Sequence, residues 1–225
     1  MKSCEIYRLG ICPYDKAYSI QKETLEERVN NKRGDVLFLL EHPSTITIGK
    51  SGHIENVVVS KEKLRENNIK LYFIDRGGDV TYHGPGQLIG YPIIDLEAAN
   101  LNFHEFIFNI EEVLIETLQE LNITSYRKEN YRGVWTDKGK IASIGLRIIK
   151  TVSMHGFALN VNPYLNCINY IIPCGLTNVR MTSVSEMLKQ DIPINLVMDT
   201  CEKNFAKIFG YNIVKKEAYD TLPAS

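Results

Sequence analysis

Twelve residues, Arg76-Gly77-Gly78-Asp79-Val80-Thr81-Tyr82-His83-Gly84-Pro85-Gly86-Gln87, constrain this chain more than any other stretch. The run Lys70 to Asp75, with Leu71, Tyr72, Phe73 and Ile74, predicts a buried strand before them, and Leu88 to Leu96 predicts another after them. A connection that only reverses the chain needs about two to five residues and one glycine. This one carries four glycines, a proline, an arginine and a histidine. Gly77 and Gly78 can take positive φ and let a ligand lie against the backbone. Gly84-Pro85-Gly86 sets a second turn. Thr81, Tyr82, His83 and Gln87 supply polar groups, and Arg76 supplies a fixed charge. Composition leaves two readings open: a long glycine-rich hairpin with a salt-bridged arginine and a surface histidine, or a binding loop. A Walker loop is excluded because Gly-Lys-Ser/Thr is missing. A dinucleotide fingerprint is excluded because the glycine spacing differs and extended Val80–Tyr82 follows in place of a helix.

The totals narrow the class. With 225 residues and 44% apolar content, one substantial core is affordable. A net charge of -1 argues against a nucleic-acid partner, which selects a basic excess or stripe. No apolar run reaches the roughly eighteen residues of a membrane span, and Met1-Lys2-Ser3-Cys4-Glu5 lacks the apolar core of a signal peptide, so a cytoplasmic protein is expected. Five cysteines without a Cys-x-x-Cys pair, and five dispersed histidines, indicate neither a disulfide framework nor a metal site.

Read in order, Cys4 to Leu9 predicts a strand and Pro13 to about Asn31 a helix ended by Gly34, because Tyr14, Ala17, Ile20, Leu25 and Val29 recur near helical spacing. Val36–Leu40 predicts a strand buried on both faces, and Thr45–Ile48 a short β-branched one. Gly49–Asn56 is polar and glycine-bearing, so a mobile loop is expected. Ser60 caps a short helix. Asn102-Phe103-His104-Glu105 reads as a capping box opening a helix to about Leu121, with His104 structural. Ile141–Ile149 and His155–Val161 read as a strand pair. An irregular segment then runs from Asn162 to Gly175. Helices are expected at Ser183–Lys189 and Pro193–Phe209, with Gly210 at the end of the second, and a frayed tail after Lys216. The simplest architecture is one α+β domain over residues 1–225, a mixed, largely antiparallel sheet flanked by helices.

Two residues stand out for chemistry. Cys174, in Ile172-Pro173-Cys174-Gly175, is held in a sharply specified backbone that no periodicity claims for the core. It reads either as a buried thiol, the common fate of a single cysteine, or as a nucleophile. Cys4, Cys167 and Cys201 read as core residues, and Cys12 has no evident role. A nucleophilic thiol needs a nearby cation to favour its thiolate. Lys140, in Gly139-Lys140-Ile141-Ala142-Ser143-Ile144-Gly145, is either a solvated surface charge or a partly buried residue at the entry of an apolar strand.

The twelve-residue stretch resembles the signature of the lipoyl(octanoyl) transferases, and the Lys140 and Cys174 segments resemble that family's second motif and its Pro-Cys-Gly nucleophile, in the expected order. His155-Gly156-Phe157-Ala158-Leu159-Asn160 is similar to a third family segment. The resemblance implies a fold shared with biotin and lipoate protein ligases. It implies ping-pong transfer of an octanoyl group from octanoyl-acyl carrier protein to a lysine of a lipoyl domain, in 2-oxoacid dehydrogenase E2 subunits and the glycine cleavage H protein. Cys174 would carry the acyl thioester and Lys140 would stabilise its thiolate, without cofactor or metal. Arg76, Gly77, Gly78, Asp79, Val80, Thr81, Tyr82 and His83, with Ser143, Ile144, Gly145, Gly156, Phe157 and Ala158, would bind substrate. Gly77 and Gly78 amides would form part of the oxyanion site, and His83 would orient the loop or donate to the acyl carbonyl. Tyr82, Ile144 and Phe157 are candidate walls for the acyl chain. Arg127, Lys128, Arg132, Arg147 and Lys150 would form a basic patch for acidic protein substrates, or else are scattered solvated charge. Two alternatives stand beside this reading: an ATP-dependent lipoate or biotin protein ligase of the same fold, and a non-catalytic acyl-binding protein.

Overall fold

The computed structural model describes residues 2–163, 165–173, 179–216 and 219. Cys174 and Gly175 lie outside the described residues, as does most of the chain after Lys216.

Among the described residues the strands are β1 (Lys2–Ile11), β2 (Asp35–Glu41), β3 (Thr45–Ile48), β4 (Lys70–Phe73), β5 (Val80–His83), β6 (Gln87–Ile93), β7 (Tyr126–Lys128), β8 (Tyr131–Thr136), β9 (Gly139–Ile149), β10 (Val152–Asn160) and β11 (Tyr211–Lys216). The helices are α1 (Tyr14–Val29), α2 (Lys61–Glu66), α3 (Leu96–Ala99), α4 (Phe103–Glu120), α5 (Val184–Leu188) and α6 (Ile194–Phe209). Eight strands form one sheet in the order β11-β1-β2-β6-β10-β9-β8-β7, and β4-β3-β5 form a second. β1 runs parallel to β2 and β11, and every other neighbour in the large sheet is antiparallel. The architecture is the mixed, largely antiparallel sheet with flanking helices that the sequence predicts.

Both faces of the large sheet are covered, which is why Val36–Leu40 is continuously apolar. α4 and α6 cover one face through Phe106, Ile110, Leu114, Val197 and Phe205, packed on Ile6, Leu37, Leu39 and Leu159. α1 covers the other through Ala17, Ile20 and Leu25, packed on Phe38, Leu40, Ile89 and Ile93. A third core of Ile46, Ile48, Leu64, Val80, Tyr82 and Ile171 lies under the small sheet. The caps obey local chemistry. Asn102 and Glu105 close the predicted capping box, Ser60 and Ser183 cap α2 and α5, and Gly210 ends α6 at φ 69°.

Four local expectations are corrected. β4 is an edge strand and not a buried one; Phe73 is 71% exposed. The signature stretch is not a hairpin loop, because β3 lies between β4 and β5, parallel to one and antiparallel to the other. Gly49–Asn56, expected as a mobile loop, is tied to the signature. The amides of Gly49, Lys50 and Ser51 donate to the carbonyls of Asp79, Arg76 and Gly78, and Asn56 Nδ2 donates to Asp79 Oδ2 at 2.6 Å. Residues 211–216, to which periodicity assigns no element, form β11 along β1. In the expected frayed tail, Tyr219 is described, and its hydroxyl sits 2.7 Å from Thr24 Oγ1.

Candidate active site

A cavity of about 280 Å³ opens where the small sheet and the start of α1 meet β6, β8, β9 and β10. Arg76, Gly77, Gly78, Asp79, Val80, Thr81 and His83 line it, with Lys140, with Ser143, Ile144 and Gly145, and with Gly156, Phe157 and Ala158. Strand register explains the last two groups: Ser143 pairs with Ala158, Ile144 with Phe157 and Gly145 with Gly156. Segments distant in sequence are therefore adjacent across one antiparallel ladder. Tyr82 is a correction. Strand alternation turns it away from Thr81 and His83 into the third core, where its hydroxyl lies 3.0 Å from Ser44 Oγ. Ile144 and Phe157 line the cavity and also pack with the core on the α4 and α6 face.

Arg76 is 8% exposed. Nη2 donates to the carbonyl and hydroxyl of Thr47, both at 3.0 Å, and Nη1 donates to the Gly77 carbonyl at 3.0 Å. Two glycines make room for it. A Cβ at Gly145 would stand 3.0 Å from Arg76 Cδ, and one at Gly49 would stand 2.8 Å from Arg76 Nη1. The permanent charge has reach, since it disfavours protonation of both His83 and His155.

Lys140 is 4% exposed, so the surface-charge reading does not hold. Its amide donates to the Arg180 carbonyl at 2.9 Å, and its carbonyl accepts from the Thr182 amide at 3.0 Å. The lysine is thereby fixed to the segment that follows Cys174 by six residues in the chain. Its Nζ lies 5.6 Å from the Trp135 ring centre.

Hydrogen-bond logic fixes the protons on the rings. Asn160 Nδ2 donates to the Thr182 carbonyl, so Asn160 Oδ1 accepts from Gln87 Nε2 at 2.9 Å. Gln87 Oε1 must then accept from His83 Nδ1 at 3.1 Å. Burial, with His42 and Arg76 nearby, holds His83 neutral well below the usual imidazole range. Its Nε2 is therefore a bare acceptor, which corrects the expectation that His83 donates to the acyl carbonyl. The same reasoning applies to His42, which burial pushes down to about 4. Nδ1 donates to the Cys12 carbonyl at 2.7 Å, so Nε2 accepts from the Tyr91 hydroxyl at 2.7 Å.

The Gly77 amide donates to the Leu146 carbonyl at 2.9 Å and is unavailable to an oxyanion, a further correction. Of the two glycines only Gly78 takes positive φ, at 89°. The Asp79 carboxylate accepts from the amides of Val80 and His53 and from Asn56 Nδ2, so it staples the loop together. Of the five expected basic-patch residues, Arg132 lines the cavity. Arg127 pairs with Glu111 and Glu112, and Arg147 pairs with Asp75.

Sequence reasoning missed several wall residues: Tyr14, Ile74, Tyr91, Asn130, Tyr131 and His155. His155 donates Nε2–H to Asp75 Oδ1 at 2.8 Å and takes φ 61°, unusual for a non-glycine residue. Asp75 and His155 each adjoin a recognised motif, the one available signal; Tyr14 carried none beyond its helical spacing.

This site sits on a known scaffold. The structure matches lipoate-protein ligase A bound with ATP at a TM-score of 0.76 and 15% identity, covering 98% of this chain and 90% of that one. It matches the biotin protein ligase of Aquifex aeolicus at 0.53 and 14%, covering 93% and 70%. The fold is that of the lipoate and biotin protein ligases.

Sequence similarity is narrower. Residues 13–206 match the model of the lipoyl protein ligase A/B catalytic domain. The octanoyltransferase of Caldicellulosiruptor bescii is 44% identical over 213 residues, 93% of each chain. That of Alkaliphilus metalliredigens is 40% identical over 211 residues, 93% of this chain and 97% of the relative. The chain belongs to the lipoyl protein ligase A/B catalytic-domain family and, within it, to the octanoyltransferases.

Proposed function

We propose that this protein moves an octanoyl group from octanoyl-acyl carrier protein to a lysine of lipoyl domains, those of 2-oxoacid dehydrogenase E2 subunits and of the glycine cleavage H protein. The intermediate is a thioester on Cys174, and residues 1–225 act as one catalytic unit. The observation that carries the reading is Lys140: a lysine buried at the cavity and anchored by its backbone to the segment that follows Cys174.

The reaction balances without a cofactor. Cys174 thiolate attacks the carbonyl carbon of the donor thioester, and the C=O pair moves onto oxygen. Collapse breaks the bond to the pantetheine sulfur, which takes a proton from Lys140. The amine of the acceptor lysine then attacks octanoyl-Cys174 and loses a proton to Lys140, and the Cys174 thiolate leaves. Thioester to thioester is nearly isoenergetic and thioester to amide runs downhill. Arg76 keeps the site electropositive, which favours thiolate and oxyanion alike. Burying six methylenes of the acyl chain contributes about 5 kcal/mol, at about 0.8 kcal/mol each.

A transfer assay tests the reading. Octanoyl-acyl carrier protein and an apo-lipoyl domain are mixed with the enzyme without ATP. Octanoylated lipoyl domain is the expected product. Transfer that requires free octanoate and ATP would assign a ligase, and binding without transfer would assign a carrier.

A further inference from the structure

The rings around the cavity differ in what each has left to offer a substrate. His83 presents a bare Nε2, and so it accepts. Tyr91 has its proton on His42, so its oxygen also accepts. His155 has its N–H on Asp75 and keeps a bare Nδ1. Tyr14 is different. It lines the cavity and is 3% exposed, yet its buried hydroxyl has no hydrogen-bond partner among the described residues. Leaving a buried hydroxyl unpaired is costly, and each such group calls for an explanation.

The ring is not loose. Tyr14 opens α1 just after Pro13. Tyr72 packs against it at 5.0 Å between ring centres, His42 at 5.2 Å, Tyr18 at 6.2 Å and His83 at 6.4 Å, the last two nearly parallel to it. Burial raises the phenol well above its usual range, so it stays protonated throughout the working pH range. The result is a rigid, neutral donor in a cavity where His83 Nε2 and the Tyr91 oxygen accept.

We propose that the Tyr14 hydroxyl donates a hydrogen bond to the acyl carbonyl oxygen of the substrate and holds the oxyanion of the tetrahedral intermediates. The assignment rests on the acyl-transfer reading above. As sulfur bonds to the carbonyl carbon, the π pair moves onto oxygen. Tyr14 donates to that oxygen and keeps its proton. When the pair returns, the bond to the departing sulfur breaks and the hydrogen bond weakens. The donor is stronger in the transition state than in the ground state, which is the condition for raising the rate.

The test is Tyr14→Phe in the full chain, read three ways. Single-turnover acylation by S-octanoyl-pantetheine should slow by about 10²-fold, the scale for losing one oxyanion donor. The Kd of S-octyl-pantetheine, a thioether with no carbonyl, should stay within about twofold, a change worth less than half a kcal/mol. The urea midpoint should hold or rise, because the variant removes an unpaired buried hydroxyl. An unchanged acylation rate would overturn the assignment. So would equal weakening toward thioester and thioether with a lowered midpoint, which marks a packing role. A wild-type protein that forms no acyl-enzyme would overturn the acyl-transfer reading itself, and this assignment with it.

Discussion

His83 donates Nδ1–H to Gln87 Oε1 at 3.1 Å, and that bond decides which nitrogen faces the substrate. Gln87 is held the right way round by Asn160 and the Tyr82 carbonyl, so the proton on His83 is fixed by a chain of partners ending at Thr182. A histidine in the signature motif is therefore an acceptor at the cavity.

The three buried histidines predict a pH dependence of stability. His42 is pushed down to about 4, His155 to about 3, and His83 well below its usual value. The ordinary value, about 6.5, applies in the unfolded chain. Between 6.5 and about 4 the unfolded state binds more protons than the native state. Stability is thus complete above pH 6.5 and falls as the pH drops, by up to about 1.4 kcal/mol per pH unit for each histidine. Urea midpoints measured from pH 7.5 to 4.5 should fall steadily below 6.5; a flat profile across that window would contradict the buried neutral rings.

Gly145→Ala should damage the site more than the fold. The added methyl would press on Arg76 Cδ and on the Gly77 carbonyl, 3.1 Å away. Arg76 must then give by a few tenths of an ångström, less than the ~1 Å misplacement that costs about 10²-fold, so kcat/KM should fall several-fold. Gly34→Ala is the control, since a Cβ there meets nothing within 4 Å. Equal activity in the two variants would show that the Arg76 position does not matter.

Lys140 should be visible in thiol reactivity. Cys4, Cys12, Cys167 and Cys201 are buried, and burial raises Cys4, Cys12 and Cys201, the last to about 12. Iodoacetamide at pH 7 should then label one cysteine, Cys174, in the folded protein. Lys140→Met should slow that labelling roughly tenfold or more by depleting the thiolate, and kinetics followed by peptide mass mapping would measure it. Labelling as fast in the variant as in the wild type would remove Lys140 from its proposed role.

Much of the scaffold is legible in the sequence because its signals are local. The capping box at Asn102, the doubly buried run at Val36 and the β9–β10 pair each follow from residue type and period. Motif wording also brings Lys140, Arg76 and the two small-residue segments to one cavity. What could not be read depends on partners far away in the chain. β4 is exposed because β3, not β4, is the centre of the small sheet. β11 is only six residues long and takes its place by pairing with β1. Tyr82 and Thr81 are neighbours in the motif, yet strand alternation sends them to opposite sides. The proton on His83 is set by Gln87, Asn160 and Thr182, a chain that no spacing rule reveals. Tyr14 is flagged only by a missing partner, which has no meaning before the fold is known.

Every step of the proposed transfer passes through the acyl-enzyme. Intact-protein mass spectrometry after mixing the pure protein with octanoyl-acyl carrier protein, without ATP or metal, tests it most directly. One added octanoyl group is expected, absent in Cys174→Ser and discharged by apo-lipoyl domain. A wild-type protein that gains no mass, or a Cys174→Ser variant that gains the same mass, would contradict it.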